Sequence, residues 1–413
     1  MRIPNRHTRR IGKILLTSLL TVLPALALAK PTDVTIGYLE LSVPDAPLLS
    51  NVLPPPEDNG EQGAILGIAD NNQGARFLGL NYVLKSLRSE SLDALIQQSE
   101  QWHEQGVRYL IANLPAPALE QLSRSWQGKP ILIMNAGSAD NALRTTRCLS
   151  NVLHTLPSRA MLTDALGQWL IHRRLGRWLI IEGQQTEDKA YADSVRRTAK
   201  RYGARIVDEK TWTFESDLRR SAQTEVPLFT KTREYDAVVV ADERGDFGEF
   251  IPFNTWYPRP VTGTQGLTPT AWHRVVEQWG AAQLQSRFDK QTGRWMTDVD
   301  YAAWAAVRSI GEAIASQAPA QFPKLANDDP SPLMHYLLSE DFQLAGFKGR
   351  KLTYRPWNGQ LRQPIALVHP RALVSQSPQQ GYLHPHTDLD TLGFDRPESR
   401  CTLSQTHTVN GGR

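Results

Sequence analysis

Apolar and polar positions in the first third of the chain switch repeatedly between a period of two and a period near 3.6. Val34-Thr-Ile-Gly-Tyr-Leu-Glu-Leu41 reads as a strand, and Glu61–Asp70 sets Ala64, Ile65, Ile68 and Ala69 on one helical face. Phe77–Leu84 predicts a second strand and Ser91–Gln105 a helix that Gly106 ends. Val107–Ala112 is a third strand, Ala116–Trp126 a helix, and Pro130–Met134 a fourth strand running into the polar turn Asn135–Asn141.

The alternation then starts again. From Arg147 to Val207 the chain reads strand, helix, strand, helix, strand. Pro157 suits a first helical turn, where its missing N–H costs nothing. Met161, Leu162, Ala165, Leu166, Trp169 and Leu170 follow at the spacing of one buried helical face, and Gly176 stops the helix. Trp178–Ile181 is a short apolar run of the kind buried on both faces of a sheet. A helix over Asp188–Tyr202 ends at Gly203, Arg205–Val207 opens the next strand, and Tyr235–Ala241 is another. An acidic loop, Asp242–Glu249, leads to a short strand at Pro260–Gly263 and to helices over Thr270–Gln285 and Thr297–Ser316. Beyond Asp328 the pattern predicts a short helix (Pro332–Leu338) and an antiparallel pair, Arg350–Tyr354 with Pro364–Val368, joined through Trp357-Asn-Gly359. Residues 371–413, rich in Pro, Gln, His and Thr, read as a tail. Strands alternating with helices predict an α/β protein of two doubly wound, open parallel sheets.

Length and charge narrow the class. The 413 residues suffice for two domains. Arg2, Arg6, Arg9, Arg10 and Lys13 precede an apolar run from Ile14 to Leu28, and Ala27-Leu-Ala29 has the form of a cleavage site. Residues 1–29 therefore read as a secretory signal peptide, which places the mature chain in the periplasm. The whole chain carries +4, but removing the five basic residues of that leader from the 46 present leaves 41 against 42 acidic residues. The mature chain is thus near neutral, and a nucleic-acid partner loses its electrostatic basis. In an oxidising compartment Cys148 and Cys401 read as a disulfide, with two free thiols as the alternative. Closing so long a loop is worth about 5 kcal/mol on the chain-entropy account. G-x-S-x-G, H-E-x-x-H and C-x-x-C motifs and a Gly-rich phosphate loop are all missing, so the reading is of a non-enzyme without a cofactor.

Strand Val34–Leu41, segment Cys148–Leu156, Trp178–Gly183 with Tyr191–Gly203, Tyr301–Val307 and Gly346–Tyr354 with Trp357-Asn-Gly359 together resemble the type I periplasmic solute-binding proteins. The branch is the one that includes the branched-chain amino acid receptors. Leu153–Arg159, Val240–Glu243, Gly346–Arg355 and Leu392–Cys401 look like a subgroup encoded beside quinoprotein alcohol dehydrogenase systems. In that subgroup the protein is the binding component of an ABC transporter linked to pyrroloquinoline quinone-dependent alcohol oxidation. The resemblance implies two lobes and a hinge crossed three times, with lobe one at 30–152 and 263–325 and lobe two at 153–262 and 326–370. It further implies a small-molecule ligand in the cleft, ABC transporter membrane subunits as partners, and a monomer. Two alternatives stay open: a sensor for a membrane receptor, and a protein handling calcium, a lanthanide or a cofactor for the dehydrogenase.

Ligands of such sheets bind beyond the strand C-termini. Asn113 stands where the amino acid receptors offer a hydroxyl to a carboxylate, a departure that argues against an amino acid ligand. Asn135 and Ser138 are candidate hydrogen-bond donors, with plain turn chemistry as the alternative. Tyr191 falls where the resemblance implies an aromatic cleft residue, and a helix-packing tyrosine is the competing reading. Asp242 and Glu243, with Asp246 and Glu249, are hard oxygen ligands for an ammonium group or a cation, although they match no EF-hand spacing. Trp256 is a candidate stacking surface, and Gln265, near it in the chain, is a further candidate ligand-binding residue. His384-Pro-His386 is a faint metal pattern in the tail.

Overall fold

The computed structural model describes residues 31–42, 54–213, 218–317 and 329–403. The leader and the prolines at 44 and 47 lie outside the described residues. Among the described residues no helix is long and apolar enough to cross a membrane.

Fifteen strands and nine α-helices follow one another among the described residues. In lobe one, β1 (Thr32–Leu41), β2 (Leu80–Ser89), β3 (Tyr109–Asn113), β4 (Leu132–Asn135) and β5 (Val152–His154) form a parallel sheet in the order β2-β1-β3-β4-β5. Between them run α1 (Glu61–Ala75), α2 (Leu92–Glu104) and α3 (Ala116–Ser125). In lobe two, α4 (Arg159–His172), β6 (Arg177–Glu182), α5 (Thr186–Tyr202), β7 (Arg205–Thr211), α6 (Leu218–Thr230), β8 (Ala237–Ala241) and β9 (Val261–Gly263) build a second parallel sheet, β7-β6-β8-β9. Alternating strand and helix thus produces two parallel sheets, as the pattern predicts.

The chain then returns to lobe one through β10 (Thr268–Thr270), α7 (Ala281–Thr292), α8 (Asp298–Ser316), α9 (Ser331–Leu337), β11 (Leu344–Ala345) and β12 (Lys351–Tyr354). Helix α8 starts at a capping box in which Thr297 accepts from the Asp300 amide and Asp300 accepts back. Helix α1 lies close against its Asp300, Trp304, Val307 and Gly311. A Cβ on Gly63 of α1 would stand 1.9 Å from the Asp300 carbonyl oxygen, so only glycine fits there.

Three segments differ from the sequence pattern. The helix expected over Thr270–Gln285 begins at Ala281, because Thr268–Thr270 is captured as a strand by Ala366–Val368. The expected antiparallel pair takes other partners: β12 pairs with β13 (Leu361–Arg362), whereas β14 (Ile365–His369) pairs with β10 and β15 (Ala372–Ser377). Residues 331–354, assigned to lobe two from sequence, pack instead with lobe one: Leu333, Met334, Leu337, Phe342, Leu352 and Tyr354 share the core of α8.

The β10-β14-β15 sheet lies between the lobes. Ile365 and Leu367 join the α4 core, while Ala366 and Val368 join Trp272 and Val276 in lobe one. Backbone crosses the junction near Thr155, at Gly263–Thr268 and at Leu361–Ile365. Around these crossings Arg144 donates from Nε to Gln360 Oε1 (2.9 Å) and from Nη2 to the Leu156 carbonyl (3.0 Å), and Gln363 donates to the Thr155 carbonyl (2.8 Å). Lys348, buried over the Tyr301 ring, donates to Gln363.

The described part of the tail packs into the body of the molecule. Beyond β15 it lays Leu392 into the α4 core, Gly393 donates to Asp164 (2.9 Å), and Asp390 pairs with Arg355 and Arg362 at 2.7 Å each. Cys148 and Cys401 are joined as a disulfide.

Candidate functional site

The C-terminal ends of both parallel sheets point their loops at the junction. The turn after β4 touches lobe two: Asn141 Nδ2 donates to Ser194 Oγ of α5 (2.7 Å), and its Oδ1 accepts from the Ala160 amide of α4 (3.0 Å).

On the lobe-one side, Asn113 closes β3 and donates to the Tyr38 hydroxyl and the Asn59 carbonyl, 3.2 Å each. The Tyr38 hydroxyl in turn donates to Glu40 Oε2 (3.0 Å), whose carboxyl burial pushes up against the pull of Tyr38 and Arg88. Gly137 passes so close that a Cβ there would lie 2.5 Å from Asn113 Oδ1. Asn135 is buried; its Oδ1 accepts from the Gly137 and Ser138 amides (3.2 and 2.9 Å), and its Nδ2 donates to the Ser138 carbonyl (2.8 Å) beside His154 Nδ1 (2.9 Å). Asn135 and the buried Ser138 thus shape the turn, which is the alternative weighed from sequence. Helix α3 starts with Pro115 as its N-cap and Pro117 in its first turn, so this helix start has fewer N–H groups to offer a carboxylate than an ordinary one.

Lobe two carries the charged groups. Asp242, expected as a ligand for ammonium or a cation, is buried and accepts the amides of Asp246, Phe247 and Gly248 (2.9, 2.9 and 2.6 Å). Its oxygens therefore fix the loop. Glu243 is held by Arg159 in a two-pronged pair, Nε to Oε1 at 2.8 Å and Nη2 to Oε2 at 2.6 Å. Burial works against the Arg159 charge, but Glu243 more than offsets it and the guanidinium stays above its ordinary pKa. Among the described residues no three His, Cys, Asp or Glu side chains are grouped to hold a metal.

Tyr191 is buried in the α4–α5 core, and its hydroxyl has no hydrogen-bond partner among the described residues. Burial, then the Glu243 charge, raise its pKa, with Arg159 opposing. Gln265 lies after β9 at the same sheet end, its side chain against Gly248, where a Cβ would approach within 2.6 Å. Trp256 is elsewhere. It precedes β9, next to the start of β8, so it sits at the amino edge of the sheet with Lys231 4.4 Å above its ring. That placement separates it from the strand C-termini where the other candidates gather. His384 and His386 lie in the tail, with His384 3.4 Å from Asp395.

Two residues not singled out from sequence organise this end of lobe two. Asp188, third residue of α5, accepts the Glu243 amide (2.8 Å) and the Gln185 amide (3.2 Å). Burial pushes its carboxyl up to about 6, with Asp242 and Asp246 adding to the rise and the two amides opposing it. The Gln185-x-x-Asp188 capping spacing was a readable signal for it. Arg159 carries no local signal, since its partner is 84 residues away. A cavity of about 700 Å³ lies away from this junction, at the amino ends of β4 and β5, among Trp126, Lys129, Arg147 and Asn151.

Residues 90–251 match a family model described as periplasmic binding protein. No curated protein matches the chain. Among solved structures it is similar to a branched chain amino acid ABC transporter periplasmic ligand-binding protein from Burkholderia xenovorans LB400, at 15% identity and a TM-score of 0.69 over 90% of this chain and 100% of that one. It is also similar to an ABC transporter substrate-binding protein from Desulfitobacterium hafniense in complex with Leu, at 13% identity and a TM-score of 0.62 over 84% and 100% of the two chains. A solute binding protein from R. palustris in complex with benzoate aligns at 12% identity and a TM-score of 0.59 over 82% and 93%. The fold is that of the type I periplasmic binding proteins, with two lobes built on parallel sheets.

Proposed function

We propose that this protein is a periplasmic solute receptor whose two lobes close on a small ligand and present it to the membrane subunits of an ABC importer. One observation carries the reading: the C-terminal loops of two separate parallel sheets converge on a junction crossed by three backbone segments. Such a hinge lets ligand bias an open–closed equilibrium through contacts that need both lobes at once. The similar structures from Desulfitobacterium hafniense and R. palustris hold Leu and benzoate, which supports a small organic ligand as cargo. Binding without chemistry accords with the same relatives. The link to pyrroloquinoline quinone-dependent alcohol oxidation is supported only by the sequence resemblance of Leu153–Arg159, Val240–Glu243, Gly346–Arg355 and Leu392–Cys401. Asp242 and Glu243, the oxygens on which a metal-handling role would draw, are already claimed by three amides and by Arg159.

A thermal-shift screen of residues 30–413 tests this, with amino acids, benzoate, short alcohols with their aldehydes and acids, pyrroloquinoline quinone, calcium and a lanthanide. An organic ligand of the folded state raises the melting temperature with its concentration. A rise with metal ions alone would overturn the receptor reading.

A further inference from the structure

The tail touches both lobes within a few residues. On lobe two, Glu398 pairs with Arg197 and Arg201 of α5 at 3.1 Å each, Arg197 and Arg201 both donate to the Gly393 carbonyl (2.7 Å), and the Arg197 guanidinium lies 4.4 Å above the Phe394 ring. Directly afterwards the chain steps to lobe one. Ser399 Oγ donates to the Arg144 carbonyl (2.7 Å), the Arg400 amide donates to the Thr145 carbonyl (2.9 Å), and Cys401 is bonded to Cys148. Leu403 then enters the lobe-one core beside Leu153.

We propose that residues 393–401 are a strap across the hinge, a fourth crossing whose disulfide limits how far the two lobes separate. The inference rests on the lobe movement proposed above. Glu398 and Arg400 are two residues apart, and so short a piece of backbone spans ~7 Å when fully extended. The lobe-two anchor is a cluster of charge-assisted bonds to α5, and the lobe-one anchor is covalent. Any opening that carries α5 away from the 144–148 segment by more than this reach must break one of them. Three backbone crossings allow a wide hinge, whereas a strap of fixed length makes the open state shallow and keeps it near the closed geometry.

The experiment is single-molecule energy transfer between fluorophores on non-canonical ketone residues at the exposed positions 97 of α2 and 189 of α5. It compares the native protein, the Cys148→Ser, Cys401→Ser double variant, and a variant with Gly-Ser-Gly-Ser-Gly inserted between Glu398 and Ser399. The insertion keeps the disulfide and both anchors and changes only the length of the strap, so it remains informative if the serine variant fails to fold. The expected result is a narrow distance distribution for the native protein and a shift to longer distances for the lengthened one. Equal, broad distributions in both would show that the lobes move freely, which overturns the strap and leaves the receptor reading intact. Equal, narrow distributions would mean that the lobes do not separate at all, and both proposals would fall.

Discussion

Arg159 and Glu243 meet through two parallel hydrogen bonds, 2.8 and 2.6 Å long, that fasten the first turn of α4 to the loop after β8. The same contact neutralises the carboxylate that the sequence offers most openly as an ion ligand. The Arg159 side chain is largely covered and Glu243 reaches it from an exposed position, so removing one partner leaves the other only partly solvated. Arg159→Ala and Glu243→Ala are each expected to cost about 1–3 kcal/mol, below the figure for fully buried pairs. A double-mutant cycle by urea unfolding should return a favourable coupling of about 1–2 kcal/mol. Additive single effects would show that the pair holds nothing.

The Tyr191 hydroxyl is buried without a partner among the described residues, whereas Trp256 stands at the far edge of its sheet. Tyr191→Phe should therefore leave the ligand-free protein as stable or up to about 1 kcal/mol more stable. In the same protein, affinity for a ligand found by the thermal-shift screen should fall about tenfold, the worth of one buried hydrogen bond. Trp256→Ala should leave that affinity unchanged. Isothermal titration of the two variants decides the matter: a loss confined to Trp256→Ala would move the site to the other edge.

Asp188 gives lobe two a pH response. Its carboxyl titrates at about 6 in the folded protein, above the ordinary aspartate value near 4. A raised acid makes the folded state bind the extra proton. Its ionisation therefore opposes folding fully above pH 6, and the cost is relieved as the pH falls from 6 towards 4. From this group alone, stability should rise by about 1 kcal/mol between pH 7 and pH 5. Denaturant midpoints across that range should flatten in Asp188→Asn relative to the native protein.

Lys348 acts in the opposite window. Burial lowers its ammonium to about 7, with only Asp298 opposing. The folded state therefore releases the proton first. The cost of its buried charge is fully present below pH 7 and is relieved as the pH climbs towards the unfolded value near 10.4. A gain of about 2 kcal/mol from pH 7 to pH 9 is expected from this residue. Lys348→Met should remove the gain, and unfolding curves at the two pH values would expose its persistence.

The alternation of strand and helix was legible because each element depends on neighbours in sequence. Pro157 before α4, Gly203 after α5 and the Thr297–Asp300 box of α8 are local signals, and each falls at or beside a true boundary. The segment at Thr270 was not legible, because its strand is chosen by Ala366–Val368 rather than by its own pattern. The site shows the same division. Asn113, Asn135, Ser138, Tyr191, Asp242, Glu243 and Gln265 do fall at the sheet ends that the pattern indicates. What sequence leaves hidden is how each is used. Asp242 spends its oxygens on amides four to six residues ahead of it, and Glu243 meets Arg159, 84 residues away in the chain. Trp256 was misplaced because residues close in sequence, before and after one strand, end up on opposite edges of the sheet.

The bond between Cys148 and Cys401 joins positions 253 residues apart, and everything that makes lobe two lies inside the loop it closes. A chain emerging from its amino end can build the first sheet early, yet it cannot secure Cys148 until residue 401 has arrived. A copy cut short before residue 401 keeps one reactive thiol that a finished copy has lost. The pairing therefore certifies that synthesis has passed residue 401, and thiol-reactive probes can tell such molecules from those truncated before it.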